Sequence, residues 1–452
     1  MSPALPPAFV SRMHAQLGEE ADAYFAAMEM PCLRGLRLNP QKPVSGAALE
    51  AVGGVEEPVP WYPALGRYLR NDSPAGTDPL HEAGAYYLQE PSAMAPVSVL
   101  SPRPGECVLD LCAAPGGKST QIAAAQDTPL AGEGLLVSNE PVPSRAKILS
   151  RNIERMGVPN ALVVSAQPEA LAARWGVLFD AVLVDAPCSG EGMFRRHPET
   201  RAEWNPASPA GCAERQRRIL GCAAAMLRPG GRLVYSTCTL SPEENEETVR
   251  WFLQEHPDFS VQPFSLPGNY GTLDAPEGML RLYPHRVRGE GHFVACLRRA
   301  GDAPASDLMK PAAERLSPPA PAVRAAYSAF AAPLRGLPAA NAQLGDALLC
   351  APDLPPLDGV RVLRAGVQLG ALKGKVFAPD HALAMCLSPA CGLPVLALDR
   401  AGALRYQSGE ALPAPEDMSG WALAVYEGLV LGFGKASGGQ FKNHYPKGLR
   451  RP

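Results

Sequence analysis

At 452 residues and 46% hydrophobic content, the chain exceeds a single ordinary core and suits two or three domains. Its 42 basic and 45 acidic side chains give a formal net charge of -3, which excludes a global cationic surface, so any nucleic-acid contact must use local patches. Eleven cysteines without a disulfide-like framework, and no long apolar opening after Met1-Ser2-Pro3, predict a thiol-reduced cytoplasmic protein free of membrane and acting as a monomer. Cys386 and Cys391 form a lone pair, so no metal site is expected.

Residues 1–92 open with an amphipathic segment, Ala8 to Leu17, at helical spacing. Arg34-Gly35-Leu36-Arg37-Leu38 follows as a strand expected to carry basic side chains on one face. Residues 93–300 repeat apolar strand, glycine-rich turn and helix, the pattern of an α/β, doubly wound, Rossmann-like sheet. Its clearest strands are Cys107–Leu111, Gly134–Asn139, Ala161–Val164, Phe179–Val184 and Gly231–Tyr235. Alanine and proline then dominate Ala300–Ser306 and Ser317–Ala322, predicting a linker over 301–324. Residues 325–452 resume short apolar runs punctuated by glycine, consistent with small β-rich or α+β modules.

The first strand of the α/β region runs into Cys112-Ala113-Ala114-Pro115-Gly116-Gly117-Lys118, with a helix expected from about Gln121. Small residues and paired glycines there predict a ligand lying against backbone amides. Gly117-Lys118-Ser119 also fits the end of a phosphate-binding loop, with Asp185 as its magnesium-holding acid, so a P-loop ATP-dependent protein is the rival from another class. Glu140 ends the second strand 24 residues beyond Gly116, near the ~20 at which an acid meets ribose hydroxyls. A carboxylate accepts both hydroxyl protons but repels a triphosphate, so the expected ligand is a nucleoside without phosphates. S-adenosyl-L-methionine fits, because its sulfonium tolerates Asp110 and Asp185.

Two cysteines follow strand ends: Cys188 in Asp185-Ala186-Pro187-Cys188-Ser189-Gly190, and Cys238 in Ser236-Thr237-Cys238-Thr239. The ligand crevice of such a sheet lies at the carboxyl ends of its strands, which places both thiols at one pocket. A buried cysteine is ordinarily a small hydrophobe, and Cys32, Cys107, Cys212, Cys222, Cys296 and Cys350 keep that reading.

The glycine loop, the Asp185–Gly190 segment and Tyr235–Thr239 together resemble the RNA cytosine-C5 methyltransferases named NOL/NOP2/Sun, over roughly Arg34 to Arg299. The tail Leu431–Lys435 with Lys442–Arg450 looks like the bacterial RsmF branch, which methylates small-subunit ribosomal RNA. The resemblance implies a class I S-adenosylmethionine-dependent fold, an N-terminal RNA-binding domain, a PUA-like module near 395–452, and 5-methylcytosine as product. It implies Cys238 as the nucleophile at cytosine C6, Cys188 assisting product release, and Asp185 on the N3 and amino edge of the base. Related readings are the same reaction on transfer RNA and a non-enzymatic ribosome assembly factor. Many relatives carry an acid after the third strand, where this chain has Ser165-Ala166-Gln167, leaving Gln167 as the substitute adenine contact.

RNA contacts are expected from Arg195 and Arg196, which follow the Cys188 loop, and from Arg34 and Arg37. Lys442, His444, Tyr445 and Lys447 form the C-terminal cluster. Arg215, Arg217 and Arg218 read as a solvated helix face. His285 and His292 read as structural residues on a terminal antiparallel hairpin.

Overall fold

A computed structural model describes residues 3–126, 134–268, 271–275, 277–302 and 307–451. The central sheet has eight strands of the α/β region, seven of them on its main path: β1 (Cys107–Asp110), β2 (Leu135–Asn139), β3 (Ala161–Ser165), β4 (Phe179–Asp185), β5 (Leu227–Thr237), β6 (Phe259–Val261) and β7 (His292–Arg299), with Met279–Leu282 paired to β7 off that path. Their order across the sheet is β6-β7-β5-β4-β1-β2-β3. β1 to β5 run parallel and β7 is antiparallel to both of its neighbours on that path. The chain leaves β1 in one direction towards β3 and returns to β4 on its other side, so the switch point lies between β1 and β4. That is where a crevice opens in a doubly wound sheet.

The strands read as continuous apolar runs because both faces are covered. Leu109, Val137, Leu162, Val182 and Val184 pack with Trp175, Leu220 and Ala223 on one face. Val108, Leu136, Ala181, Leu183 and Val234 meet Val97, Leu100 and Ile122 on the other. Successive side chains alternate between these clusters, as the two-residue period of a strand requires.

Ahead of the sheet, helices Pro7–Leu17 and Ala21–Met28 precede a four-stranded antiparallel sheet built on Arg34–Leu38. After it come a four-stranded and a five-stranded sheet, the second containing Gly420–Tyr426 and Leu429–Ser437.

Three expectations change. Residues 303–306 of the expected linker lie outside the described residues, but its remainder is packed structure. Lys310 pairs with Leu354, Ala312 is buried in the main core within a helix Ala312–Arg315, and a second helix starts at Pro321. Alanine's small side chain allows close packing, and proline is tolerated in the first turn of a helix, so this composition did not mean a flexible tether. The helix after the glycine loop begins at Gly117, not near Gln121. Finally, the C-terminal strand Arg361–Ala365 joins the central sheet, antiparallel to β3.

Candidate active site

β1, β4 and β5 end at Asp110, Asp185 and Thr237, and the loops beyond them are stitched to neighbouring strands. Leu111 N donates to Leu183 O at 3.0 Å, Ala113 N to Asn139 O at 2.8 Å and Ala186 N to Ser236 O at 2.9 Å. The last of these bonds joins the two cysteine-bearing segments, in which the sulfurs of Cys188 and Cys238 lie 3.3 Å apart. Asp185 lies beside them, accepting from Lys118 Nζ at 2.7 Å and Ser236 Oγ at 2.8 Å. Burial alone would raise the Asp185 pKa, but Lys118 and His292 hold it well below the usual carboxylate range. Cys188 is pushed far up by its bond to Cys238 and by burial.

Both sulfurs open into a cavity of about 550 Å³ that also contains Cys112, Ala114, Glu140, Asp185 and Gln167. Glu140 is almost fully buried; Val142 N donates to its Oε1 at 2.9 Å and Arg145 pairs with Oε2 at 3.3 Å. The cavity is about the size of a small-molecule site, and its carboxylates suit a cationic nucleoside. Pro141, Val142, Pro168 and Ile219 supply apolar wall for a flat base.

The glycine loop works differently from its sequence expectation. Gly116, at φ +114°, faces Leu149, whose Cδ1 would lie 3.2 Å from an added Cβ, and Gly117 stands equally close to Tyr87. These glycines admit protein against the turn, while Cys112 and Ala114 line the cavity. Burial and nearby carboxylates push the Cys112 thiol far up. Lys118 is committed to Asp185, and Ser119 donates to buried Asp110 at 2.7 Å. Neither is arranged for a phosphate, which removes the basis of the P-loop alternative.

Comparison with known sequences decides the family. Residues 97–298 match the family described as 16S rRNA methyltransferase RsmB/F. Residues 5–91 match the N-terminal domain of 16S rRNA methyltransferase RsmF, 331–387 its first C-terminal domain and 393–451 the methyltransferase RsmF PUA domain. The Ribosomal RNA small subunit methyltransferase F of Klebsiella pneumoniae is 34% identical over 99% of this chain and 96% of its own length. That of Serratia proteamaculans is 34% identical over 99% and 97%. The chain belongs to the RsmF family. A crystal structure of a methyltransferase homolog protein from Pyrococcus horikoshii, 30% identical, covers 65% of this chain and all of that one, with a TM-score of 0.53. NSun6 from the same organism, at 22% identity and a TM-score of 0.56, shares the fold over 66% of this chain.

Within this RsmF-family chain the expected RNA contacts separate into two groups. Arg37 is fully buried, donating to Gln89 Oε1 at 3.1 Å and Thr120 Oγ1 at 2.6 Å. Arg34 and Arg37 are three residues apart, an odd spacing that puts them on opposite faces of a strand, contrary to expectation. Arg195 pairs with buried Glu290 at 2.7 Å and bonds the carbonyls of Ala27 and Gly289, and Arg196 bonds Leu33 O. Buried Arg195 therefore ties the Cys188 loop to the rest of the fold, and half-buried Arg196 is anchored at Leu33. Tyr445 is buried against Tyr406 and His381. Lys442, His444 and Lys447 are exposed, with His444 against Trp421. Arg34 bonds the carbonyls of Asn71 and Ser73 and lines a separate groove of about 650 Å³ with Met30, Arg70 and Arg288, away from both reactive thiols.

Several site residues escaped sequence reasoning. Arg215 and Arg218, read as a solvated face, line the cavity mouth. Gln216 and Glu244 bond the Cys188 loop. His292 lies on β7 with Nε2 3.6 Å from Asp185 Oδ1, while His285 lies off the hairpin strands and pairs with Glu20. Only the pairing of β7 with β5 brings His292 to Asp185, so no local motif could signal it. Among the described residues no helix is long and apolar enough to cross a membrane, and no group of three or more His, Cys, Asp or Glu is placed to hold a metal ion.

Proposed function

We propose that this protein methylates C5 of a cytosine in 16S ribosomal RNA with S-adenosyl-L-methionine, through a covalent bond between Cys238 and cytosine C6. The observation that carries this reading is the pair of thiols 3.3 Å apart at the ends of adjacent parallel strands, in one cavity with Glu140 and Asp185. The names of the full-length relatives support the RNA class.

Glu140 would accept the ribose hydroxyls of the cofactor, Cys112 and Ala114 would lie along it, and Gln167 with Pro168 would meet its base. The bound cofactor supplies an electrophilic methyl group. Cytosine C5 is a weak nucleophile, and thiolate addition at C6 raises its electron density. The target base must first leave its stack to reach the sulfur. Asp185, held ionised by Lys118, accepts from the exocyclic amino group and from N3–H once N3 takes a proton from solvent on thiolate addition, a proton that N3 returns to solvent after the methyl group is transferred.

Product release needs a second group. The C5–H electron pair becomes the C5=C6 double bond, and the C6–S bond breaks with its pair left on Cys238. Cys188, as the protonated thiol, gives its proton to that sulfur and takes the proton from C5. The surplus proton leaves to solvent, restoring both sulfurs.

Covalent trapping tests this reading. With cofactor and 16S ribosomal RNA, Cys188→Ala is expected to accumulate a denaturation-resistant protein–RNA adduct, and Cys238→Ala to form none and to methylate nothing. Methylation by Cys238→Ala would sink the proposal. Exposed Lys442, His444 and Lys447, with Arg34 in its groove, remain the proposed peripheral RNA contacts.

A further inference from the structure

Glu244 and Asn245 are adjacent, fully buried, and given no role by the two-thiol chemistry. Each brackets a different cysteine. Glu244 accepts from Ser189 N at 3.0 Å and from Ser189 Oγ, immediately after Cys188. Gln216 Nε2 donates both to Glu244 Oε2 at 2.8 Å and to Pro187 O at 3.0 Å, immediately before Cys188. Asn245 Oδ1 accepts from Thr237 Oγ1 at 2.7 Å and its Nδ2 donates to Thr239 O at 3.1 Å, on either side of Cys238. Ser189 Oγ and Thr239 Oγ1, 2.8 Å apart, close the link between the two loops. Tyr235 anchors the assembly from β5, donating to Gln216 Oε1 at 2.9 Å and Glu244 O at 2.6 Å.

We propose that the Glu244-Asn245 dipeptide is a positioning clamp that sets the approach of the two sulfurs, Glu244 governing release of the RNA adduct through Cys188 and Asn245 governing its formation through Cys238. This rests on the two-thiol reading above. A proton passes between sulfurs only at near contact, and the backbone on either side of each cysteine decides that distance.

The geometry allows charge and position to be separated. In Glu244→Gln the amide oxygen at the Oε2 position can accept from Ser189 N and Gln216, while the amide nitrogen donates to Ser189 Oγ, so every bond survives. Glu244→Ala loses them all.

The test is adduct trapping with the full chain, S-adenosyl-L-methionine and 16S ribosomal RNA, reading adduct formation and decay separately. Glu244→Ala is expected to slow adduct decay by about tenfold or more, so that adduct accumulates as in Cys188→Ala. Asn245→Ala is expected to slow formation by a similar factor without accumulation, and Glu244→Gln to keep wild-type decay. A merely structural role would slow both steps equally in both alanine variants, and that result, or wild-type rates in both, overturns the proposal. If Glu244→Ala does not fold, Ser189→Ala removes the hydroxyl shared by Glu244 and Thr239. Slow decay there supports the clamp, and wild-type decay overturns it. Cys188→Ala is the control: if it accumulates no adduct, the two-thiol reading itself falls and the clamp with it.

Discussion

Asp110 and Asp185 end neighbouring strands, and their surroundings drive them in opposite directions. Asp185 has Lys118 and is held ionised. Asp110 is buried with Oδ1 unpartnered, and burial pushes its pKa up to about 7 from an ordinary 3.8. The folded state therefore keeps a proton that the unfolded chain has lost across that window, and stability falls as pH rises through it. Asp110→Asn has no such dependence. Relative to wild type, the variant should gain roughly 2–3 kcal/mol between pH 5 and pH 8, the remaining part of a shift worth about 1.4 kcal/mol per unit. Urea midpoints at the two pH values check this, and a pH-independent difference would show that Asp110 is ionised throughout. The cysteines make the same point about neighbours: residue type and strand-end position made Cys188 and Cys238 legible, whereas Gln216, Glu244 and Asn245 carry no sign of function until folding places them around those sulfurs.

At the scale of the element, helix Ser208–Met226 sorts its three arginines by rotation. Arg217 lies over the Trp251 ring at 5.4 Å, while Arg215 and Arg218, three apart and on one side, reach the cavity mouth above buried Gln216 and Ile219. If that pair contacts RNA phosphates, Arg215→Gln with Arg218→Gln should weaken RNA binding and lower the slope of log affinity against log salt by about 1–2, with cofactor affinity unchanged. Isothermal titration with each ligand separates the two effects, and weakened cofactor binding with an unchanged salt slope would assign the arginines to the cofactor instead. Strand Arg34–Leu38 gives the opposite case. Arg37→Met strands buried Gln89 and Thr120, so a loss of about 1–3 kcal/mol in denaturation is expected, while the salt dependence of RNA binding stays unchanged. A reduced salt slope would return Arg37 to the RNA surface.

At the scale of the whole molecule, the C-terminal region is part of the catalytic core. Arg361–Ala365 extends the central sheet beyond β3, Leu354 is fully buried in the main cluster, and Trp175 Nε1 donates to Pro356 O at 2.8 Å. Leu354→Ala should destabilise the protein by about 2–5 kcal/mol, and amide exchange should quicken in β3 along with the added strand. Protection of β3 unchanged by the substitution would mean that the two regions unfold independently. Lys42, from the N-terminal domain, donates to Ala83 O at 2.8 Å and across to Arg155 O at 3.0 Å, with Met385 Sδ 3.8 Å away, so all three regions meet at one half-buried lysine.

The sequence by itself determined the doubly wound sheet, the switch-point crevice, the two strand-end thiols and Glu140, because apolar runs of strand length and the turns after them are local and periodic. Tertiary structure decided which basic residues remain free, since an arginine reads the same whether solvent or a buried carbonyl receives it. It also decided that the expected linker packs and that a distant strand completes the sheet. Burial and partners are properties of surfaces brought together from far along the chain, and no local spacing encodes them.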